Sequence, residues 1–417
     1  MSGHCKVLIY STISPHVVYS FRCSVSLDLS IRVESALEAQ TLAISNTAKK
    51  MKAAGIDVVS LSVGEPDFDT PKCAKDAAIQ ALAENFTHYT DSNGIVELRE
   101  TIAKKFRDEN GIKQANAGNV IVSGGAKQCI FNALTALCNE GDEVIILAPY
   151  WVSYPAMAVM CGAKPVIVSG KYEHAYKVTP EDLRQAITPQ TKCVILNSPS
   201  NPTGMMYSEK EIRAFGTVIA EHDCYLLSDE IYEKLTYGDI AHFSPASIQE
   251  LSSKVITVNG VSKAYAMTGW RIGYLHAPDN VFKEISKVQG QSTSHPSSIA
   301  QRAALAALQS GAEDVRNMHL AFSKRKDMIC AMLSEIPGLN FHVPDGAFYV
   351  FISFDDIQND VDFCAYLLEE FHVALVPGDA FGCKGALRIS FAASEETLKK
   401  GIDRLARGLE AYGNKSS

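Results

Sequence analysis

Val255-Ile256-Thr257-Val258, Asn259-Gly260-Val261, Ser262-Lys263-Ala264-Tyr265-Ala266-Met267-Thr268-Gly269-Trp270-Arg271 and Ile272-Gly273-Tyr274-Leu275 form the stretch on which the fold turns. Its two ends are short runs without polar alternation. Such runs read as strands covered on both faces, as in a central, mostly parallel sheet. Similar runs occur at Val120-Ile121-Val122, Val144-Ile145-Ile146-Leu147, Val194-Ile195-Leu196 and Tyr225-Leu226-Leu227. Helical patterns lie between them: Ile130, Leu134 and Leu137 after Gly124-Gly125, and Glu211, Ile212, Phe215 and Ile219 after Ser208. Ser208 and Glu211 have the spacing of a capping box. Strand, loop, helix and strand in alternation predict an α/β fold.

The C-terminal part reads differently. A polar helical stretch covers about 313–335. It is followed by an apparent strand Phe348-Tyr349-Val350-Phe351-Ile352, a helix near 361–371, the runs Ala374-Leu375-Val376 and Leu387-Arg388-Ile389-Ser390, and a closing helix from Ser394. This pattern predicts a second, smaller α+β domain. Residues 1–30 stand apart, with one acid (Asp28), two basic residues (Lys6 and Arg22) and apolar pieces split around Pro15. They read as a loosely attached tail, a targeting segment or an over-extended start.

Composition narrows the function classes. The chain has 47 acidic against 39 basic residues, a formal net charge of −8, which argues against a general nucleic-acid coat. Hydrophobic residues at 47% and charged residues at 21% are globular values, so a disordered or collagen-like chain is excluded. No apolar stretch reaches the ~18 residues of a membrane span. The 11 cysteines include no Cys-x-x-Cys pair, which removes support for a zinc ribbon or a thioredoxin-like site. Cys129, Cys138, Cys161, Cys193 and Cys330 read as buried, reduced thiols, and a cytoplasmic location is expected. Walker A, Gly-x-Gly-x-x-Gly, His-Glu-x-x-His and Gly-x-Ser-x-Gly are all absent, and no metal site is expected.

The chemistry-bearing residues sit on loops after predicted strands, where open α/β sheets bind ligands. Ser123-Gly124-Gly125-Ala126-Lys127 opens a helix and lets backbone N–H groups approach an anion. In Asn197-Ser198-Pro199-Ser200-Asn201-Pro202-Thr203-Gly204, two prolines flank Asn201 in a rigid loop. Asp229, in Ser228-Asp229-Glu230-Ile231-Tyr232, is an acid at the end of an apolar strand and needs a partner there. Lys263 is a cation in apolar surroundings, where burial lowers its pKa and frees its amine for Schiff-base chemistry. Arg271, eight residues on, can clamp a phosphate. Singly, each has an ordinary explanation: a tight turn, an Asn-Pro turn, a helix N-cap or a solvated lysine. Together with Trp151 they supply what pyridoxal phosphate requires: an amine, a partner for the ring nitrogen and a phosphate cradle.

These motifs carry a resemblance. With Gly64-Glu65-Pro66-Asp67-Phe68-Asp69-Thr70-Pro71, Pro149-Tyr150-Trp151-Val152-Ser153-Tyr154-Pro155, Gly346-Ala347-Phe348-Tyr349 and Leu387-Arg388-Ile389-Ser390, the chain resembles the class I pyridoxal-phosphate aminotransferases. It is most similar to the aspartate aminotransferase subgroup that includes aspartate/prephenate enzymes. The resemblance runs from about residue 30 to 411. It implies the fold-type I architecture: a large domain (73–312) on a seven-stranded, mostly parallel sheet, and a small domain from residues 31–72 and 313–417. It also implies a homodimer with shared active sites. Lys263 would carry the cofactor and move the proton, Asp229 would keep the pyridine nitrogen protonated, and Tyr232 and Asn201 would bond the phenolic oxygen. Trp151 would stack on the ring. Gly125, Ala126, Lys127, Ser262 and Arg271 would hold the phosphate, joined by Tyr89 of the neighbouring subunit.

Substrate roles follow from the same resemblance. Arg388 would take the α-carboxylate, helped by Asn201 and the Gly64 backbone. Residues 289–298 hold no arginine for a distal carboxylate, so Lys127 would serve instead, and Thr41 matches a threonine that accompanies prephenate use. The expected reaction is reversible amino transfer between aspartate or glutamate and a 2-oxo acid in a ping-pong cycle. The motifs leave open a lyase or an aminotransferase of different preference on the same scaffold.

Overall fold

The computed structural model describes residues 29–36, 40–354, 357 and 359–416. The tail expected at 1–30 therefore lies outside the described residues except at its last two positions. The described residues form thirteen strands in chain order: β1 (Val59–Ser60), β2 (Val120–Ser123), β3 (Glu143–Ala148), β4 (Lys164–Ser169), β5 (Thr191–Asn197), β6 (Tyr225–Asp229), β7 (Val255–Gly260), β8 (Gly273–His276), β9 (Leu339–Phe341), β10 (Tyr349–Phe354), β11 (Val373–Ala374), β12 (Val376–Pro377) and β13 (Ala386–Ser390).

Seven of them build the main sheet in the order β2-β8-β7-β6-β5-β3-β4. All run parallel except β8, which is antiparallel to both neighbours. The absence of polar alternation has the expected cause. Val120 and Val122 pack into one core, with Phe106 and Phe215 from helices Val96–Asn110 and Glu209–Glu221. Ile121 between them packs into another, with Ile130, Leu134 and Ile285 from helices Ala126–Leu137 and Asp279–Ser292. β2 thus buries both faces. Ser208 and Glu211 form the predicted capping box, each side chain accepting the other's backbone N–H.

Six of the seven strands coincide with the apolar runs. β4 does not: it is an edge strand that holds Pro165 and leaves Lys164, Ile167 and Ser169 exposed, so it lacks the signature of a doubly covered strand, whereas β2 at the other edge is buried throughout. A second sheet, antiparallel and ordered β12-β13-β10-β9, is built from the C-terminal part. β1, from the start of the described chain, pairs in parallel with β11. The run 374–376 divides between β11 and β12 instead of forming one strand. The nine described cysteines are free; Cys129, Cys193 and Cys330 are buried as expected, but Cys138 and Cys161 are only half-buried. No helix among the described residues is long and apolar enough to cross a membrane.

A buried polar network anchors the end of β6. Glu230 accepts hydrogen bonds from the Ser228 and Ser244 hydroxyls (2.9 and 2.7 Å) and from Asn110 Nδ2 (3.0 Å), which also donates to Glu233 (2.6 Å). Lys105 pairs with Glu233 and donates to Asn110 Oδ1. Burial pushes the Glu233 carboxyl up, but the charges of Lys105 and His242 outweigh it and hold the group at about 2. Removing one member of a buried ion pair costs about 3–5 kcal/mol. Lys105→Met is therefore expected to lower the melting temperature sharply, and Lys105→Met with Glu233→Leu should recover most of the loss. A depressed acid stabilises the fold above its unfolded pKa, and that contribution is lost as pH falls. Thermal melts of the wild type should weaken from about pH 4.5 towards 2, and Glu233→Gln should flatten that slope.

Candidate active site

The C-terminal ends of β3, β5, β6 and β7 lead into Trp151, Asn201, Asp229 and Lys263, and all four side chains line one cavity. The smaller sheet closes it with Arg388 of β13 and Tyr349 of β10, joined by Gly64 from the segment after β1.

Asp229, the last residue of β6, is 4% exposed. The Tyr154 hydroxyl donates to its Oδ2 (2.7 Å) and the Ile231 N–H to its Oδ1 (3.3 Å). Burial outweighs these bonds and raises its carboxyl to about 6. Lys263 moves the opposite way for the same reason: burial lowers its amine to about 8, with Glu65 opposing. Its Nζ donates to the Gly64 carbonyl (2.5 Å). The Tyr232 hydroxyl meets the Tyr349 hydroxyl at 2.9 Å.

An anion cradle forms where helix Ala126–Leu137 begins. Arg271, with a left-handed φ of 55°, donates to the carbonyls of Thr268 (2.9 Å) and Gly124 (3.2 Å). Gly125 has φ +94°, and a Cβ there would strike the Arg271 guanidinium. Lys127 Nζ lies 4.8 Å from the centre of the Trp151 ring; burial, then the charge of Arg271, lowers its pKa.

Arg388 is 4% exposed. It donates to Asn201 Oδ1 (2.9 Å) and the Ser62 carbonyl (2.6 Å), while its Nε has no hydrogen-bond partner. The rings of Tyr349 and Phe381 flank the guanidinium at 4.6 and 5.0 Å. Among the described residues no carboxylate pairs with this buried cation.

Of the residues singled out from the sequence, Gly64, Ala126, Lys127, Trp151, Asn201, Asp229, Tyr232, Ser262, Lys263, Arg271 and Arg388 line the cavity. Gly125 stands beside it, against Arg271. Tyr89 does not line it: it is 92% exposed and sets its ring edge-on to His295. Thr41 falls in helix Gln40–Ala53, and its side chain lies outside the described residues. Tyr154, Tyr349, Asn197 and Thr268 also line the cavity, though sequence reasoning gave them no role. Asn197 ties two loops together, donating to the Asp229 carbonyl (2.9 Å) and accepting the Asn201 N–H (2.8 Å). The available signal was position: Tyr154 and Tyr349 stand inside the quoted motifs.

Residues 56–405 match the family described as aminotransferase class I and II. The chain belongs to this family. The aminotransferase is 46% identical over 392 residues to an aspartate aminotransferase of Geobacillus stearothermophilus, covering 92% of this chain and all of that one. It is 42% identical to a bifunctional aspartate aminotransferase and glutamate/aspartate-prephenate aminotransferase of Petunia hybrida, covering 93% of this chain and 84% of that one. The Thermus thermophilus aspartate aminotransferase with maleate superposes with a TM-score of 0.88 at 43% identity, over 92% of this chain and 100% of that one. The enzyme therefore has the fold-type I architecture of the pyridoxal-phosphate transferases and uses that cofactor. Its residues fit the group: a buried carboxylate for a ring nitrogen, a half-buried amine of lowered pKa, and an anion cradle where a Cβ at the left-handed Gly125 would press on Arg271.

Gly273 sets the position of that cradle. A Cβ on it would run into the backbone of Gly125 and Ala126, whereas a Cβ on Gly269 meets nothing within 4 Å. Overpacking typically costs about 1–3 kcal/mol. Gly273→Ala is expected to lower the melting temperature and weaken pyridoxal-phosphate binding, measured by fluorescence titration, with Gly269→Ala close to wild type in both.

Proposed function

We propose that the enzyme moves the amino group of aspartate or glutamate to a 2-oxo acid in a ping-pong cycle, with prephenate as a further acceptor. The observation that carries this reading is Arg388: a buried guanidinium with no carboxylate partner among the described residues, opening on the same cavity as Lys263. An amino or 2-oxo acid supplies that carboxylate, and a bidentate fork suits it. Lys127, a flexible point charge over Trp151, takes the distal carboxylate. The relatives' names support the substrate class.

Pyridoxal phosphate, when bound, supplies an electron-withdrawing ring that carries the amino group between substrates. Asp229 keeps a negative charge beside its ring nitrogen. Asn201 and Tyr232 bond its phenolic oxygen and Trp151 stacks on it. The backbone N–H groups of Gly125, Ala126 and Lys127, with Ser262 and Arg271, hold its phosphate. Lys263 Nζ, whose proton burial loosens, would move the proton between the substrate Cα and the cofactor's C4′ within each half-reaction. Gly64 and Arg388 orient the substrate, and Thr41 contributes to prephenate use.

We also propose a homodimer in which Tyr89 serves the neighbouring subunit's phosphate. Its exposure outside its own cavity supports this, as do the exposed Ile79, Leu82 and Val96. Residues 31–72 and 313–417 form the small domain against 73–312, a division supported by the β1–β11 pairing. The nine free thiols support a cytoplasmic setting.

Two experiments test the reading. Lys263→Ala should fold and lose nearly all transamination, and borohydride should no longer fix the cofactor to the chain; cofactor still fixed to the alanine variant would overturn the assignment. Arg388→Leu should damage every substrate alike, while Lys127→Ala damages only aspartate, glutamate and prephenate. A charge-assisted contact is worth about 1.5–3 kcal/mol, so the expected losses in kcat/KM are about ten- to a hundredfold. An unchanged aspartate-to-apolar ratio in Lys127→Ala would place the distal carboxylate elsewhere.

A further inference from the structure

Asp229 can hold a positive ring nitrogen only while it is itself ionised, and its surroundings work against that. It is buried, and the Glu230 carboxylate beside it opposes a second negative charge. The titratable groups facing it from the elements around it are Tyr154, Cys129, Tyr232, Glu230 and Lys263. Only two hydrogen bonds reach its carboxylate from described residues, and the Ile231 N–H is the longer at 3.3 Å. The Tyr154 hydroxyl, at 2.7 Å, is the one side-chain donor.

Tyr154 is built to hold that bond. Its side chain is 2% exposed, and its backbone N–H donates to the Trp151 carbonyl (3.0 Å) at the start of helix Ser153–Met160. Its ring meets Trp151 edge-on at 5.3 Å, so one side chain touches both Asp229 and the residue that stacks on the cofactor. Burial first, and then the Asp229 charge, push the phenol well above its ordinary pKa, so the proton stays on Tyr154 and the carboxylate accepts.

We propose that Tyr154 is a positioning residue for transamination, whose hydroxyl bond to Oδ2 of Asp229, braced by the edge contact with Trp151, keeps that carboxylate oriented and ionised. This rests on the role given to Asp229 above.

The test compares the wild type with Tyr154→Phe, Tyr154→His and Asp229→Asn. Tyr154→Phe keeps the ring and removes the donor; Tyr154→His restores an N–H donor. In cofactor-free enzyme, the Asp229 carboxyl is followed by infrared difference titration and assigned by its loss in Asp229→Asn. Losing a donor to a charged group is expected to raise that titration by about one to two pH units in Tyr154→Phe, with Tyr154→His moving it back. In the holoenzyme, the pH dependence of the cofactor's absorption should shift alongside, and kcat should fall more than KM changes. A Tyr154→Phe chain that does not fold is replaced by 3,5-difluorotyrosine at position 154, a stronger donor, which should lower the titration. A carboxyl titration that stays in place while Asp229→Asn abolishes transamination overturns the proposal alone. Transamination that survives Asp229→Asn overturns the role of Asp229, and the proposal with it.

Discussion

Asp229 is buried and Lys263 half-buried at one cavity, and the design of the site follows from that constraint. Burial disfavours charge on both groups, lifting the acid to about 6 and lowering the base to about 8. For the amine this is useful, because a lysine that gives up its proton readily can act as nucleophile and base. For the carboxylate it is a cost, because a neutral acid cannot hold a positive ring. The two groups therefore need different neighbours. Lys263 meets a carbonyl oxygen and lies within 6 Å of two aromatic ring centres, whereas Asp229 receives a phenol and a backbone N–H.

The doubly covered sheet makes that burial available. Parallel strands deliver their carboxyl ends to one edge, and the loops there carry Trp151, Asn201, Asp229 and Lys263. Behind Asp229, the network of Lys105, Asn110, Glu230, Glu233 and Ser244 pins the turn that also carries Tyr232. The close approach of Gly273 to the backbone of Gly125 and Ala126 sets where the anion cradle lies relative to β8. The smaller sheet adds Arg388, to which the proposed reading gives the substrate carboxylate. Arg388 is clamped by Asn201 of one region and Ser62 of the other, so its guanidinium is oriented before a carboxylate arrives.

Much of this was legible along the chain. Local burial writes itself into sequence as uninterrupted apolar runs, and six of the seven main strands showed it. The chemistry-bearing residues were legible for a related reason: Asp229, Lys263 and Arg271 are charged residues set against such runs, where a charge needs a purpose. The order and spacing of the motifs then brought in Arg388, Trp151 and Lys127. β4 escaped because it is exposed at Lys164, Ile167 and Ser169, so its residues carry a weaker signature.

Tertiary structure decided the pairings. Tyr154 and Asp229 stand 75 residues apart, Tyr232 and Tyr349 117, Lys263 and Gly64 199, and Arg388 and Ser62 326. A tyrosine beside a tryptophan reads as core in any sequence; only the folded sheet brings its hydroxyl to the end of another strand. Residue type and local burial pattern singled out the groups to which the chemistry is assigned. Which partner charges, orients or restrains each of them depends on contacts between distant segments, and those exist only once the cores have packed.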